Sequence, residues 1–291
     1  GRYTTQPKNQ LCGQVTASDG ADYYLTCDIT GIEQSYQYNN GEEIAVTPVV
    51  SFEGTTLTNG TDYTVTFSST PAAAGSYTLT VTGRGDYVGS RTISFKIVDG
   101  EKLDGYVFAT ATDDDGTYYE IADEADLERL AAYVNSGHNA SGKRFKQTAD
   151  IQMTAEHTAI GIDTSSKYFK GVYVGANLTI TGLTINKPYS NYQGLFGYVS
   201  SATIKNVKLV NCNITGDQCI GGIVGRASGS SSSKSNIENC HVSGTIAAIT
   251  TDAEGHGGIV GSAYYATLTG CTVTGTVSTT AENKFYGGIV G

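Results

Sequence analysis

The chain has no tryptophan, 4 prolines, 1 methionine and 4 histidines among 291 residues, and only 16% of its residues are charged. Low charge with 39% apolar residues excludes a solvated, disordered chain, because such a sequence collapses. No stretch of 18 apolar residues occurs, so no membrane-spanning helix is encoded. Basic residues are outnumbered 18 to 28, a net charge of −10. Nucleic acid needs a basic face and is excluded as a partner on that ground. His-Glu-x-x-His and Gly-x-Ser-x-Gly are both missing, so neither a zinc peptidase nor an α/β-hydrolase is written here.

What the chain does have is 37 glycines and 20 tyrosines, set among many Thr, Val and Ile. Glycine supplies turns and β-branched residues suit a pleated surface, so the expected class is all-β. A repeat dominates the second half. Gln193-Gly194-Leu195-Phe196-Gly197 is followed by Gly-Gly-Ile-Val-Gly starting at Gly221, Gly257 and Gly287, at spacings of 28, 36 and 30 residues. Between the pentads runs an echo: Ile204-x-Asn206-Val207 leads to Asn211-Cys212-Asn213-Ile214-Thr215-Gly216. Asn239-Cys240-His241-Val242-Ser243-Gly244 and Gly270-Cys271-Thr272-Val273-Thr274-Gly275 follow it. A fixed period of this length means stacked units. Units of 28 and 30 residues are too short for a four-stranded propeller blade of about 40. They fit one coil of a parallel β-helix, with aliphatics inward and Thr, Ser and Lys outward, and with Ser228 to Ser235 as an outward loop.

One helix is expected over Glu124 to Asn135, where Leu127, Leu130, Ala131 and Val134 make a single apolar stripe. Asp123 caps its start and Asn135-Ser136-Gly137 ends it. An open first rung would expose core and unpaired backbone, so this helix is read as the cap of the solenoid. Phe145 to Met153, Tyr168 to Val174 and Leu178 to Ile185 read as strands of degenerate first coils. Residues 1–100 differ. Ile44–Phe52, Tyr63–Phe67, Ser76–Val81 and Thr92–Val98 alternate apolar and polar between turn signals, the pattern of an antiparallel sandwich. The domains expected are therefore residues 1–26, an N-terminal hairpin segment; residues 27–100, the sandwich; and residues 101–291, the capped β-helix, with its repeats from about residue 193.

The pentads with their Ile-x-Asn-Cys and Val-x-Gly companions resemble GLUG-motif repeats, which occur in bacterial surface adhesins and beside IgA-specific metallopeptidases. Ile121 to Asn135, Gly142-Lys143, Thr148-Ala149-Asp150-Ile151, Ile160-Gly161 and Phe169-Lys170-Gly171 to Leu183 resemble the segment that leads into such repeats. Val174 departs from that pattern, where relatives often carry Asp. Residues 36–98 are similar to bacterial Ig-like repeats through Gly60-Thr61-Asp62-Tyr63-Thr64-Val65, Ala74-Gly75-Ser76-Tyr77 and Gly83-x-Gly85-x-Tyr87-x-Gly89 with Phe95-x-Ile97. The resemblance implies an exported, multi-domain protein of the bacterial cell surface, of which this chain is a piece.

Each candidate site has a plainer alternative. Arg84-Gly85-Asp86 spells the integrin tripeptide, yet the Ig-like turn already requires its glycines. Cys212, Cys240 and Cys271 are read as one repeat position whose inward thiols act as small hydrophobes. A two-residue turn at Asp19-Gly20 would set Cys12 opposite Cys27, close enough for a disulfide; Cys219 has no evident partner. Asp113, Asp114, Asp115 and Glu120 are oxygen ligands without a calcium-loop spacing. Asp252, Glu254 and His256 lie in the longest inter-pentad insertion and could do acid–base work on a polysaccharide if suitably spaced. The Asn-x-Ser/Thr sequences at Asn59, Asn139, Asn177 and Asn213 are expected to be incidental.

No catalytic, cofactor or metal residue is assigned. The expected function is a non-catalytic cell-surface stalk or adhesin module binding a glycan or protein; the alternative is a polysaccharide-active β-helix enzyme. Gly1 reads as a trimmed start or an expression scar. Because Gly291 closes a pentad without a capping signal, the last coil is expected to present an open edge.

Overall fold

The computed structural model describes residues 12–16, 22–162, 165–249, 255–279 and 286–291. The chain divides into two units between Val107 and Phe108. Among the described residues it is mostly β with one α-helix, Glu124–Asn135.

The first unit opens with a hairpin of Cys12–Thr16 and Asp22–Thr26 whose register pairs Cys12 with Thr26. The expected Cys12–Cys27 opposition is corrected. The register is one residue off the expected one, with Thr16 opposite Asp22 and Cys12 opposite Thr26. Beyond it lie a three-stranded sheet (Asp28–Thr30, Val49–Phe52, Thr55–Thr56) and a four-stranded sheet ordered Ser35–Gln37, Ser90–Val98, Gly75–Gly83, Tyr63–Phe67. Val50 and Phe52 of one sheet share a core with Tyr77, Leu79, Val81, Phe95 and Ile97 of the other. The strand expected from Ile44 begins only at Val49; Pro48 has no N–H to give a ladder. Among these strands pairing is antiparallel except where Ser35–Gln37 runs parallel to Ser90–Val98.

The second unit holds a β-solenoid of about four turns. Its first ladder stacks Gly116–Ile121, Arg144–Gln147, Val172–Val174, Thr203–Lys205, Ser235–Glu238 and Ala266–Thr269, all parallel. The second runs through Thr179–Thr181, Lys208–Gly216 and His241–Ala248 to the short strand Thr272–Val273. The pentads form the third side, where Phe196, Val224, Val260 and Val290 succeed one another in parallel register.

In-register stacking puts like on like about every 4.8 Å. Phe145, Tyr173, Ile204, Ile237 and Leu268 make one inward column; Ile151, Ile180, Leu209, Val242 and Val273 make another. Each fully buried aliphatic contributes about 1.5–3 kcal/mol, so the columns supply most of the driving force. The core is aromatic at the helix end, where Phe108, Phe145, Phe169 and Phe196 follow one another at centroid separations of 5.4, 6.2 and 5.0 Å. It turns aliphatic toward the other end. There Leu268, Val273, Val277, Ile289 and Val290 are only half-buried, beside a pocket of about 340 Å³.

Close stacking explains the pentad glycines. A Cβ on Gly222 would sit 2.6 Å from the Gly258 carbonyl oxygen and 2.7 Å from Val242 Cγ1, closer than real atoms approach.

Candidate functional site

The helix is tied to the first coil by its own polar face. Asp123 is the N-cap, its carboxylate accepting from the Asp126 amide at 3.0 Å. Leu127, Leu130, Ala131 and Val134 are buried, as the stripe requires. Glu124 accepts hydrogen bonds from the Thr154 hydroxyl (2.6 Å) and from the Thr154 and Ala155 amides (2.8 Å each). Burial opposes its charge, but these donors win and hold the carboxyl below its usual range. Further along, Glu128 Oε1 meets His157 Nδ1 at 2.6 Å, and Asn135 brackets the chain by donating to Ala159 O and accepting from the Gly161 amide. His157 Nε2 faces Leu195 O at 3.1 Å, reaching the next coil.

Beside this strap lies a cleft of about 470 Å³ between residues 157–162 and 187–193. Coil stacking makes its wall. Glu156 accepts from the Asn186 amide at 3.0 Å and pairs with Lys187 at 3.3 Å; the amide first, and then the lysine, lowers its pKa against the effect of burial. Asn191 Oδ1 accepts from the Gln218 amide of the next coil, and Gln193 Nε2 donates to the Asn191 carbonyl at 2.7 Å. Tyr192 sits at φ +58°, a left-handed conformation that costs free energy for a bulky residue. Its ring packs edge-on to Tyr198 at 5.6 Å, and Tyr198 meets Tyr168 at 6.2 Å. Tyr189 is 88% exposed close by. An aromatic ring, two amides, hydroxyls and one lysine around a concave surface suit a small polar ligand.

The residues singled out from sequence are scattered. Asp113 is clamped by Arg144 (2.6 Å) and Lys146 (2.7 Å), which hold its carboxyl well below the usual range. Arg144 and Lys146 also lie over the Tyr118 ring. Among the described residues no group of three or more His, Cys, Asp or Glu could hold a metal ion. Arg84 donates to Gly60 O at 3.0 Å within the first unit, with Asp86 exposed. Asp252 and Glu254 lie outside the described residues. His256 does not: it is fully buried, stacked in register between Ile220 and Tyr286, and neither ring nitrogen has a hydrogen-bond partner among the described residues. Burial lowers its pKa, against the opposing pull of Asp217.

The shared position of Cys212, Cys240 and Cys271 is also corrected. His241 pairs with Lys208 and Thr272, so Cys240 aligns with Val207 and Cys271, whereas Cys212 pairs with Gly244. Each of those first three follows a left-handed corner residue, Asn206, Asn239 or Gly270. Asn211, also left-handed, makes a second corner inside the third coil, where the register shifts between Leu209 and Cys212. Local likeness of Asn-Cys therefore misled the alignment; the inward aliphatics set it. The cleft itself gave no sequence signal beyond a tyrosine-rich stretch before the first pentad.

Comparison with known proteins agrees on the repeats. Residues 216–247 and 252–278 match the GLUG motif. The chain is 27% identical over 234 residues to halomucin of Haloquadratum walsbyi, a match covering 74% of this chain and 2% of halomucin. It also resembles the crystal structure of a putative immunoglobulin A1 protease from Bacteroides ovatus, at 18% identity, 62% coverage of each chain and a TM-score of 0.43. This chain thus spans a small fraction of halomucin's length. Its C-terminal half carries GLUG repeats.

Proposed function

We propose that this chain is a non-catalytic module of a larger cell-surface protein, a stiff stalk or adhesin region whose solenoid flank binds a carbohydrate. The observation that carries the reading is the cleft between residues 157–162 and 187–193, concave, largely apolar with amide, hydroxyl and lysine groups around it, and edged by Tyr192. A sugar ring offers an apolar face to an aromatic ring and hydroxyls to amides and a lysine, which is what this wall presents. Strapping by Glu124, Glu128 and Asn135 fixes the wall before any ligand arrives, and preformed sites lose less entropy on binding. The GLUG repeats, and a halomucin match covering 2% of that protein, support placement within a longer chain. On this reading the first unit is an Ig-like spacer.

The test is a glycan array probed with the whole chain and with Tyr192→Ala, with reducing ends counted on the same sugars. Binding that falls at least tenfold in the variant, with no new reducing ends, supports the reading. Array-wide failure to bind, equal binding by the variant, or release of reducing ends overturns it, the last in favour of a polysaccharide-active enzyme.

A further inference from the structure

We propose that Cys240 and Cys271 are a disulfide-forming pair that staples the last two coils together when the protein meets a small-molecule disulfide. The two residues occupy one column on neighbouring coils, directly after the left-handed corners at Asn239 and Gly270. Thr272 donates its amide to the Cys240 carbonyl at 2.9 Å, which fixes the two coils beside each other at this point. Neighbouring residues of a parallel ladder are about 4.8 Å apart at Cα, inside the 4.4–6.8 Å span that a disulfide accepts. The two thiols lie near enough to perturb each other's ionisation. Both lean on carbonyls of the first ladder: Cys240 Sγ on Glu238 O at 3.3 Å, Cys271 Sγ on Ile237 O at 3.5 Å. Neither Val207, one coil back, nor Cys212, set off by the bulge, competes for the partner.

The two thiols differ in a way that sets the order of events. Cys240 is fully buried, whereas Cys271 is half-exposed at the less covered end of the solenoid. The hydrogen bond from Cys240 also pulls the Cys271 thiol below its ordinary range, while the same contact and burial push Cys240 up. Cys271 is therefore the attacking thiolate. It displaces one thiolate from a disulfide R–S–S–R and forms a mixed disulfide. Cys240 then gives its proton to that released thiolate and attacks the Cys271 sulfur, expelling the second R–S⁻, which takes a proton from water. Two protein thiols and one disulfide become one protein disulfide and two small thiols. The bond ties the coil of Cys271, whose inward Leu268 and Val273 are half-buried, to the coil of Cys240, whose inward Ile237 and Val242 are fully buried.

The experiment treats the whole chain with oxidised glutathione, blocks remaining thiols under denaturing conditions and maps peptides by mass. The expected product is a Cys240–Cys271 linked pair, with Cys212 alkylated and a melting temperature raised by roughly 5–10 °C that reductant reverses. Cys271→Ser should lose both the linked pair and the shift. Recovery of Cys240 and Cys271 as alkylated thiols, a glutathione that stays on Cys271, or a link from either to another cysteine overturns the proposal. The wild-type peptide map decides even where the variant does not fold.

Discussion

His157 Nδ1 lies 2.6 Å from Glu128 Oε1 while its Nε2 lies 3.1 Å from Leu195 O, so one buried ring joins the helix, the first coil and the second. Replacing it with alanine removes both contacts, leaving Glu128 Oε1 with the Thr158 amide and Leu195 O with the Ile160 amide. His157→Ala is expected to cost about 2 kcal/mol, read by urea unfolding, with the cleft wall loosened as well. A loss below about 0.5 kcal/mol contradicts the strap.

The pentad glycines make a paired test. Gly222 has the Gly258 carbonyl and Val242 where a Cβ would go, whereas a Cβ on Gly288, the matching position two pentads on, would meet nothing within 4 Å. Gly222→Ala should therefore destabilise by about 1–3 kcal/mol, and Gly288→Ala should change stability by no more than about 0.5 kcal/mol. Equal effects on the unfolding midpoint would remove the stacked-backbone explanation.

His256 gives the pH dependence. Its pKa is lowered in the folded state by burial, so the unfolded chain takes up the proton first. Its contribution is intact above the unfolded value of ~6.5 and is lost as pH falls from there toward the folded value, at up to about 1.4 kcal/mol per pH unit. Asp150 and Glu156 act lower down. The Thr179 and Asn186 amides hold their carboxyls below the usual range, and their contribution is lost only as pH falls below ~4. His256→Leu should thus flatten the stability profile between pH 7 and 5 and leave the acid limb unchanged. Parallel profiles for wild type and variant would contradict the burial argument.

The sequence was most legible where one side chain's environment depends on its own neighbours. The helix, its Asp123 cap and its Leu127-Leu130-Ala131-Val134 stripe are local features, and they stand where the pattern places them. The pentads were legible because backbone-to-backbone stacking admits little but glycine. Register was harder. Asn211-Cys212 looks like Asn239-Cys240, but a bulge after Leu209 moves it out of the column, and only the long-range pairing of Leu209 with Val242 shows this. Cys12 was set against Cys27 by assuming a two-residue turn, whereas the strand register sets it against Thr26. The cleft was invisible for a similar reason. Its walls come from segments about 30 residues apart, brought together by the coil repeat, and neither segment carries a motif.

Everything rests on the coils being stacked in register, and methyl–methyl nuclear Overhauser spectroscopy of Ile-, Leu- and Val-labelled protein reads that stacking directly. The account expects cross-peaks that run Ile204–Ile237–Leu268 along one column and Val224–Val260–Val290 along another. Cross-peaks joining these methyls in a different order, or none between successive pentads, would contradict it.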